Sequence, residues 1–194
     1  MFGLILCGGK SSRMGTDKGL LKLEAKTWAQ TAVDNLMELN IPVKLSVNND
    51  QYAAYASAFP VSDLIVDDDS LSIRGPLQGL LSVHLKNPAS PIFLLACDMP
   101  LMETSVLKEL LRHYNDNATA DAFVFTNDNE PEPLCGIYNV KGLASVLNIY
   151  KSGQLVKHSM KFMLDHINTF FFPLREEQKK CFRNFNAHAE FNGL

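Results

Sequence analysis

Cysteine is scarce and scattered in this chain. Four residues, Cys7, Cys97, Cys135 and Cys181, are spread over 194 positions with no CxxC pair. That spacing argues against a zinc ribbon or a disulfide framework and fits reduced thiols in a cytoplasmic protein. Long apolar runs are missing too. None approaches the ~20 residues a membrane span needs, and the run from Phe2 to Cys7 is too short for a signal core and has no basic flank. With a net charge of −3 there is no excess of basic residues for sequence-independent nucleic-acid binding. The five histidines are dispersed, at 84, 113, 158, 166 and 188, without a pair at metal-ligand spacing. Two common phosphate motifs are also lacking. Gly9-Lys10-Ser11 stands too close to Gly8 for a P-loop, and no GxGxxG follows the first apolar run. Repeats, low-complexity segments and linkers are absent as well.

What remains has an ordinary globular composition, 46% hydrophobic and 20% charged. The length predicts a single domain over residues 1–194 with a sizeable core. Residues 2–6 predict a strand buried on both faces. Trp28, Ala32, Leu36 and Leu39 recur at helical period, predicting a helix over 27–39 that ends at Asn40 and Pro42. Residues 43–47 and 63–66 read as strands, with a short helix over 52–59 between them. Gly75-Pro76 opens another helix. Pro suits a first helical turn. Residues 91–97 (PIFLLAC) are the clearest buried strand. A helix capped by Thr104 follows, with Leu107, Leu110, Leu111 and Tyr114 on one stripe. Strands are predicted at 122–126 and 134–138, separated by a polar turn over 127–132. Helices at 142–150 and 155–165 and a short strand at 170–172 complete the set. Alternating strands and helices imply an α/β fold with a mostly parallel, doubly wound sheet and helices on both faces.

In such sheets ligands bind outside the carboxyl ends of the strands. Four polar groups fall there: the loop from Gly8, Asn48, the triplet Asp67-Asp68-Asp69, and Asp98. Gly8 and Gly9 let backbone N–H groups approach an anion closely. Lys10, Arg13 and Lys18 add positive charge, and Arg13 can clamp phosphate through two donors. A strand running into a glycine-rich cationic loop therefore suits a nucleotide phosphate tail. Asp98, just past a buried strand and before Met99-Pro100, reads equally as a metal ligand or as a cap for the next segment.

The first loop fills the pattern LxGGxSxRMGxDK with Leu6, Gly8, Gly9, Ser11, Arg13, Met14, Gly15, Asp17 and Lys18. It resembles the signature loop of the molybdenum cofactor guanylyltransferases, members of the nucleotidyltransferase superfamily with a Rossmann-like GT-A fold. Val47-Asn48, Val66-Asp67-Asp68, Gly75-Pro76-Leu77-Gln78-Gly79, Cys97-Asp98-Met99-Pro100 and Asn184-Phe185-Asn186 continue the resemblance in order. The resemblance implies transfer of GMP from GTP to molybdopterin, with Mg²⁺ as cofactor and pyrophosphate as product. By position it implies GTP contacts at Leu6, Cys7, Gly8, Gly9, Lys18, Asn48 and Asp68, with one residue of uncertainty in register among the three acids. It implies Mg²⁺ at Asp98, catalysis by Arg13, Lys18 and Asp98, and pterin contacts at Asn184 and Asn186. Cys7 departs from the usual alanine. Gly8-Gly9 and GPLxG favour GTP over CTP. The alternatives are a cytidylyltransferase or sugar-phosphate nucleotidyltransferase of the same fold, or a nucleotide-binding regulatory protein without transfer activity. The expected protein is a monomer, acting with molybdoenzyme chaperones or insertion proteins and with neither nucleic acid nor membrane.

Overall fold

The computed structural model describes residues 1–8, 17–117 and 119–183. The chain opens with β1 (Phe2–Leu6), all five residues of which are buried. A three-residue 3₁₀ turn, Lys18–Leu20, leads into a small antiparallel ribbon of β2 (Lys22–Leu23) and β3 (Lys26–Thr27). Sequence periodicity does not anticipate this ribbon, because two-residue strands carry no period. Then follow α1 (Trp28–Met37), β4 (Val43–Val47), α2 (Tyr52–Ala56), β5 (Leu64–Val66), α3 (Pro76–Lys86) and β6 (Ile92–Ala96). The rest is α4 (Thr104–Asp116), β7 (Ala122–Asn127), β8 (Glu130–Tyr138), α5 (Val140–Lys151), α6 (Met160–Leu164) and β9 (Thr169–Pro173).

Seven strands form one sheet in the order β5-β4-β1-β6-β8-β7-β9. Only β8 runs against the others, since it pairs antiparallel with both β6 and β7. The mostly parallel sheet expected from the sequence is therefore present. Alternation along β1 splits the core between two faces. Ile5 and Cys7 face a layer built with α1, α2 and α4, including Leu36, Tyr55, Leu107 and Leu110. Phe2, Leu4 and Leu6 face a second layer with α3, α5 and α6, including Leu80, Leu143 and Met163. From β1 the chain winds outward to β4 and β5. It then crosses to β6 on the other side and winds the opposite way. The switch point lies between β1 and β6, where a doubly wound sheet opens a crevice at the carboxyl ends.

Several boundaries differ from sequence expectation, each for a local reason. The polar segment expected as a turn over 127–132 is mostly strand. Asp128 and Asn129, at φ +49° and +67°, make a two-residue hairpin turn, and Glu130 already belongs to β8. Pro131 and Pro133 are tolerated because β6 pairs with β8 only from Cys135 onward, which leaves one edge open. The helix expected over 155–165 shrinks to α6, whose N-cap Ser159 accepts a hydrogen bond from the Phe162 N–H at 3.1 Å. The helix expected over 52–59 ends at Ala56. Thr104 is the first residue of α4 rather than its cap, and its hydroxyl donates to Asn35 Oδ1 at 3.2 Å. Thr27 does cap α1, accepting from the Gln30 N–H at 3.1 Å.

Among the described residues no helix is long and apolar enough to cross a membrane. Phe93 lies in β6 and is fully buried. Phe93→Ala should cost about 3–5 kcal/mol. Thermal unfolding should then start about 6–20 °C lower, at ~2–4 °C per kcal/mol. A fall of under 3 °C would contradict this packing.

Candidate active site

The carboxyl ends of β1, β4, β5 and β6 meet at the switch point. Backbone bonds carry the ladder past the strand ends: Cys7 N–H to Ser46 C=O (3.0 Å), Cys97 N–H to Leu6 C=O (3.1 Å) and Asp67 N–H to Val47 C=O (2.9 Å). Cys7, Ser46, Asp67 and Cys97 are thus held side by side, with Gly8 and Asp98 immediately beyond. Of the residues expected in the site, Leu6, Cys7, Gly8, Lys18, Asn48, Asp68 and Asp98 lie on this edge or on the turns leaving it. Gly9, Arg13, Asn184 and Asn186 lie outside the described residues.

Asp98 is half-buried, and its Oδ1 is sealed from solvent without a hydrogen-bond partner among the described residues. Burial raises its pKa, while the Lys18 ammonium opposes that shift. Lys18 therefore acts on Asp98 although eighty residues of chain separate them. An orphaned buried carboxylate oxygen is costly unless a cation completes it.

Asn48 has a partly structural role. Its Oδ1 accepts from the Gln51 N–H (2.9 Å) and its own N–H donates to Gln51 Oε1 (3.1 Å), a reciprocal pair that starts α2. The three acids after β5 separate clearly. Asp69 is exposed and accepts from Asn49 Nδ2 at 2.7 Å. Asp68 Oδ1 accepts from the Ser70 N–H at 2.9 Å, which shapes the turn, and the Ser70 side chain, followed by this backbone bond, holds its pKa down. Asp67 points inward. Ser46 Oγ donates to its Oδ1 at 2.5 Å. A Cβ on Gly8 would come within 3.0 Å of its Oδ2, and one on Gly79 would meet Ser46 Oγ at 2.6 Å and Leu6 Cδ2 at 2.9 Å. Glycine at 8 and 79 is what lets α3 and the end of β1 approach this carboxylate so closely. Burial pushes Asp67 up to about 6, against the pull of the Ser46 hydrogen bond.

Sequence reading assigned no role to Asp17 beyond the motif, and none to Ser46, Gln51 or Tyr55. Asp17 caps the turn that carries Lys18, accepting from the Gly19 N–H at 3.0 Å. Tyr55 and Gln51 also donate to it. The signal that could have found Asp17 was its place beside Lys18 in the motif. Gln51 and Tyr55 had none. The thiols of Cys7 and Cys97 lie together, and their mutual hydrogen bond, followed by burial, pushes the Cys97 thiol well above its usual value. The Cys97 thiol stays protonated and does not serve as a nucleophile. The described residues contain no cluster of three metal-ligating side chains.

Residues 3–166 match the family model described as the MobA-like NTP transferase domain. A probable molybdenum cofactor guanylyltransferase of Flavobacterium johnsoniae is 28% identical over 190 residues, spanning 98% of this chain and 94% of that protein. The molybdenum cofactor guanylyltransferase of Campylobacter jejuni is 26% identical over 188 residues, covering 97% and 92%. The crystal structure of molybdopterin-guanine dinucleotide biosynthesis protein A from Archaeoglobus fulgidus superposes with a TM-score of 0.77 at 19% identity, covering 99% of this chain and 95% of that one. At that identity the likeness concerns the fold.

The raised pKa of Asp67 makes a pH-dependent prediction. Its value of about 6 in the folded chain stands above the ordinary 3.8, so folding is penalised wherever the carboxylate must ionise. The penalty is complete above about 6 and vanishes as pH falls to 3.8. Asp67→Asn should melt a few degrees above the wild type at pH 7.5, by roughly 2–4 °C per kcal/mol relieved, and the gap should close at pH 4. A gap that is the same at both pH values would refute the assignment.

Proposed function

The chain belongs to the family of MobA-like NTP transferase domains, and from that membership we propose that it transfers GMP from GTP to the terminal phosphate of molybdopterin, releasing pyrophosphate. The observation that carries the chemistry is the orphaned Asp98 oxygen beside Lys18 at the switch point. Relatives of nearly the same length bearing the guanylyltransferase name support the choice of nucleotide and acceptor.

A metal fits this donor set. Mg²⁺ prefers hard oxygen ligands and is commonly held by one or two carboxylates together with substrate phosphates. A single half-buried carboxylate with no cluster of further side-chain ligands among the described residues meets that description. Asp98 would hold the ion, which when bound polarises the phosphate oxygens around the reacting phosphorus.

The protein's own part is positioning and charge. Backbone N–H groups from Gly8 onward cradle the phosphates. Lys18 and Arg13 oppose the negative charge that accumulates on the departing pyrophosphate. The attacking group is a phosphate monoester, already anionic near neutral pH. No strong general base is required, in keeping with sequence motifs that contain no histidine. Asn48 and the acids after β5 border the nucleoside side. The segment of β8 before Cys135 begins at the same edge where β6 ends, which supports its assignment to the acceptor side.

The test is thermal unfolding with Mg²⁺ and each of GTP, CTP, ATP and UTP. Ligand at about a hundred times its Kd adds about 2.7 kcal/mol, a rise of about 5–11 °C. GTP should produce it, the other nucleotides should not, and Asp98→Ala should lose it. A CTP preference would assign a cytidylyl donor instead. With molybdopterin present, Lys18→Ala should release pyrophosphate about 10²–10³-fold more slowly. Near wild-type turnover in that variant would remove Lys18 from the mechanism.

A further inference from the structure

α2 is one and a half turns long, yet it and the residue before it send two side chains into the floor of the site. Tyr55 is fully buried, and its hydroxyl donates to Asp17 Oδ1 at 2.8 Å. Gln51 Nε2 donates to Asp17 Oδ2 and, at 2.9 Å, to the carbonyl of Cys7. The Gly19 N–H adds a third donor group to Asp17, at 3.0 Å. The Asp17 carboxylate is thus held on both oxygens, and Gln51 ties it to the end of β1.

This hub lies one residue away from both charged groups of the proposed chemistry. Asp17 precedes Lys18, and Gly19 follows it. A Cβ on Gly19 would stand 2.2 Å from the Tyr55 hydroxyl oxygen and 3.2 Å from Cys97 Sγ. Cys97 in turn precedes Asp98. The turn bearing Lys18 is pressed against the strand end bearing Asp98, and the Tyr55 hydroxyl sits at that contact. Burial, the neighbouring thiols and Asp17 all hold the phenol protonated, so it remains a donor. The ring has packing of its own, stacked on Phe59 with centroids 5.8 Å apart. Removing the hydroxyl alone leaves that packing in place.

We propose that Tyr55, with Gln51, is a positioning residue: by holding the Asp17 carboxylate it sets Lys18 beside Asp98 and the phosphates. The proposal rests on the nucleotidyl-transfer reading above. It states that Tyr55 acts through Lys18 and not through general stability.

A double-mutant cycle separates these roles. Tyr55→Phe should lower the rate of pyrophosphate release about tenfold in the wild-type background and less than twofold in Lys18→Ala. KM for GTP should stay within twofold, and the melting midpoint should fall by less than about 4 °C, the effect of one lost hydrogen bond. A second arm needs no acceptor: calorimetric titration with magnesium pyrophosphate should show weaker binding by Tyr55→Phe, with the difference abolished in Lys18→Ala. Equal losses in both backgrounds, or no loss in either, overturn the proposal. If Tyr55→Phe unfolds, Gln51→Leu reads the same cycle from the other carboxylate oxygen. A wild type that releases no pyrophosphate with molybdopterin defeats the transfer reading, and the titration still decides whether Tyr55 works through Lys18.

Discussion

β1 lies between β4 and β6 with every residue buried, so its backbone N–H and C=O groups can be satisfied only by those two neighbours. The pairing that meets this constraint has the registers Leu6↔Ser46 and Leu6↔Ala96. The parallel ladder then delivers three strand ends to one level. Residues far apart in sequence, Gly8, Ser46 and Asp98, emerge within one crevice because the strands that carry them are paired side by side in parallel with β1. The site is a consequence of the sheet's hydrogen-bond accounting.

Three carboxylates at this edge meet three different environments, and the differences separate their roles. Asp17 is saturated with donors and serves as a structural anchor. Asp67 is half-buried with a single hydroxyl donor, and its elevated pKa accompanies the close approach of Gly8 and α3. Asp98 keeps one oxygen buried and unpartnered, the condition in which a carboxylate gains most from a bound cation. Identical chemistry is thus divided by solvation and hydrogen bonding, the same terms that set carboxylate pKa values generally.

Glycine supplies the complementary economy of space. At Gly8 and Gly79 the missing Cβ admits Asp67, and at Gly19 it admits the Tyr55 hydroxyl. Each is a point where two elements approach more closely than a methyl group allows. A small domain can in this way keep polar side chains inside a crevice lined on both sides by aliphatic core.

Much of the architecture was legible in the residues alone. The apolar run of β1, the PIFLLAC strand and the leucine stripes of α3 and α4 determine strand and helix by period and burial, and their alternation determines a parallel sheet with its site at the carboxyl edge. The loop motif and Asp98 followed from that placement. Elements too short to show a period, such as the β2–β3 ribbon and the two-residue turn at Asp128-Asn129, were set by turn geometry and tertiary pairing, as was the point at which α2 ends. So was the choice among Asp67, Asp68 and Asp69: adjacent identical residues differ only in which way the backbone turns them, and the ladder bond to Val47 turns Asp67 inward. Gln51 and Tyr55 gained their places the same way. A glutamine and a tyrosine on a polar stretch carry no pattern, and only the packing of α2 against the turn at Lys18 brings their donors to Asp17.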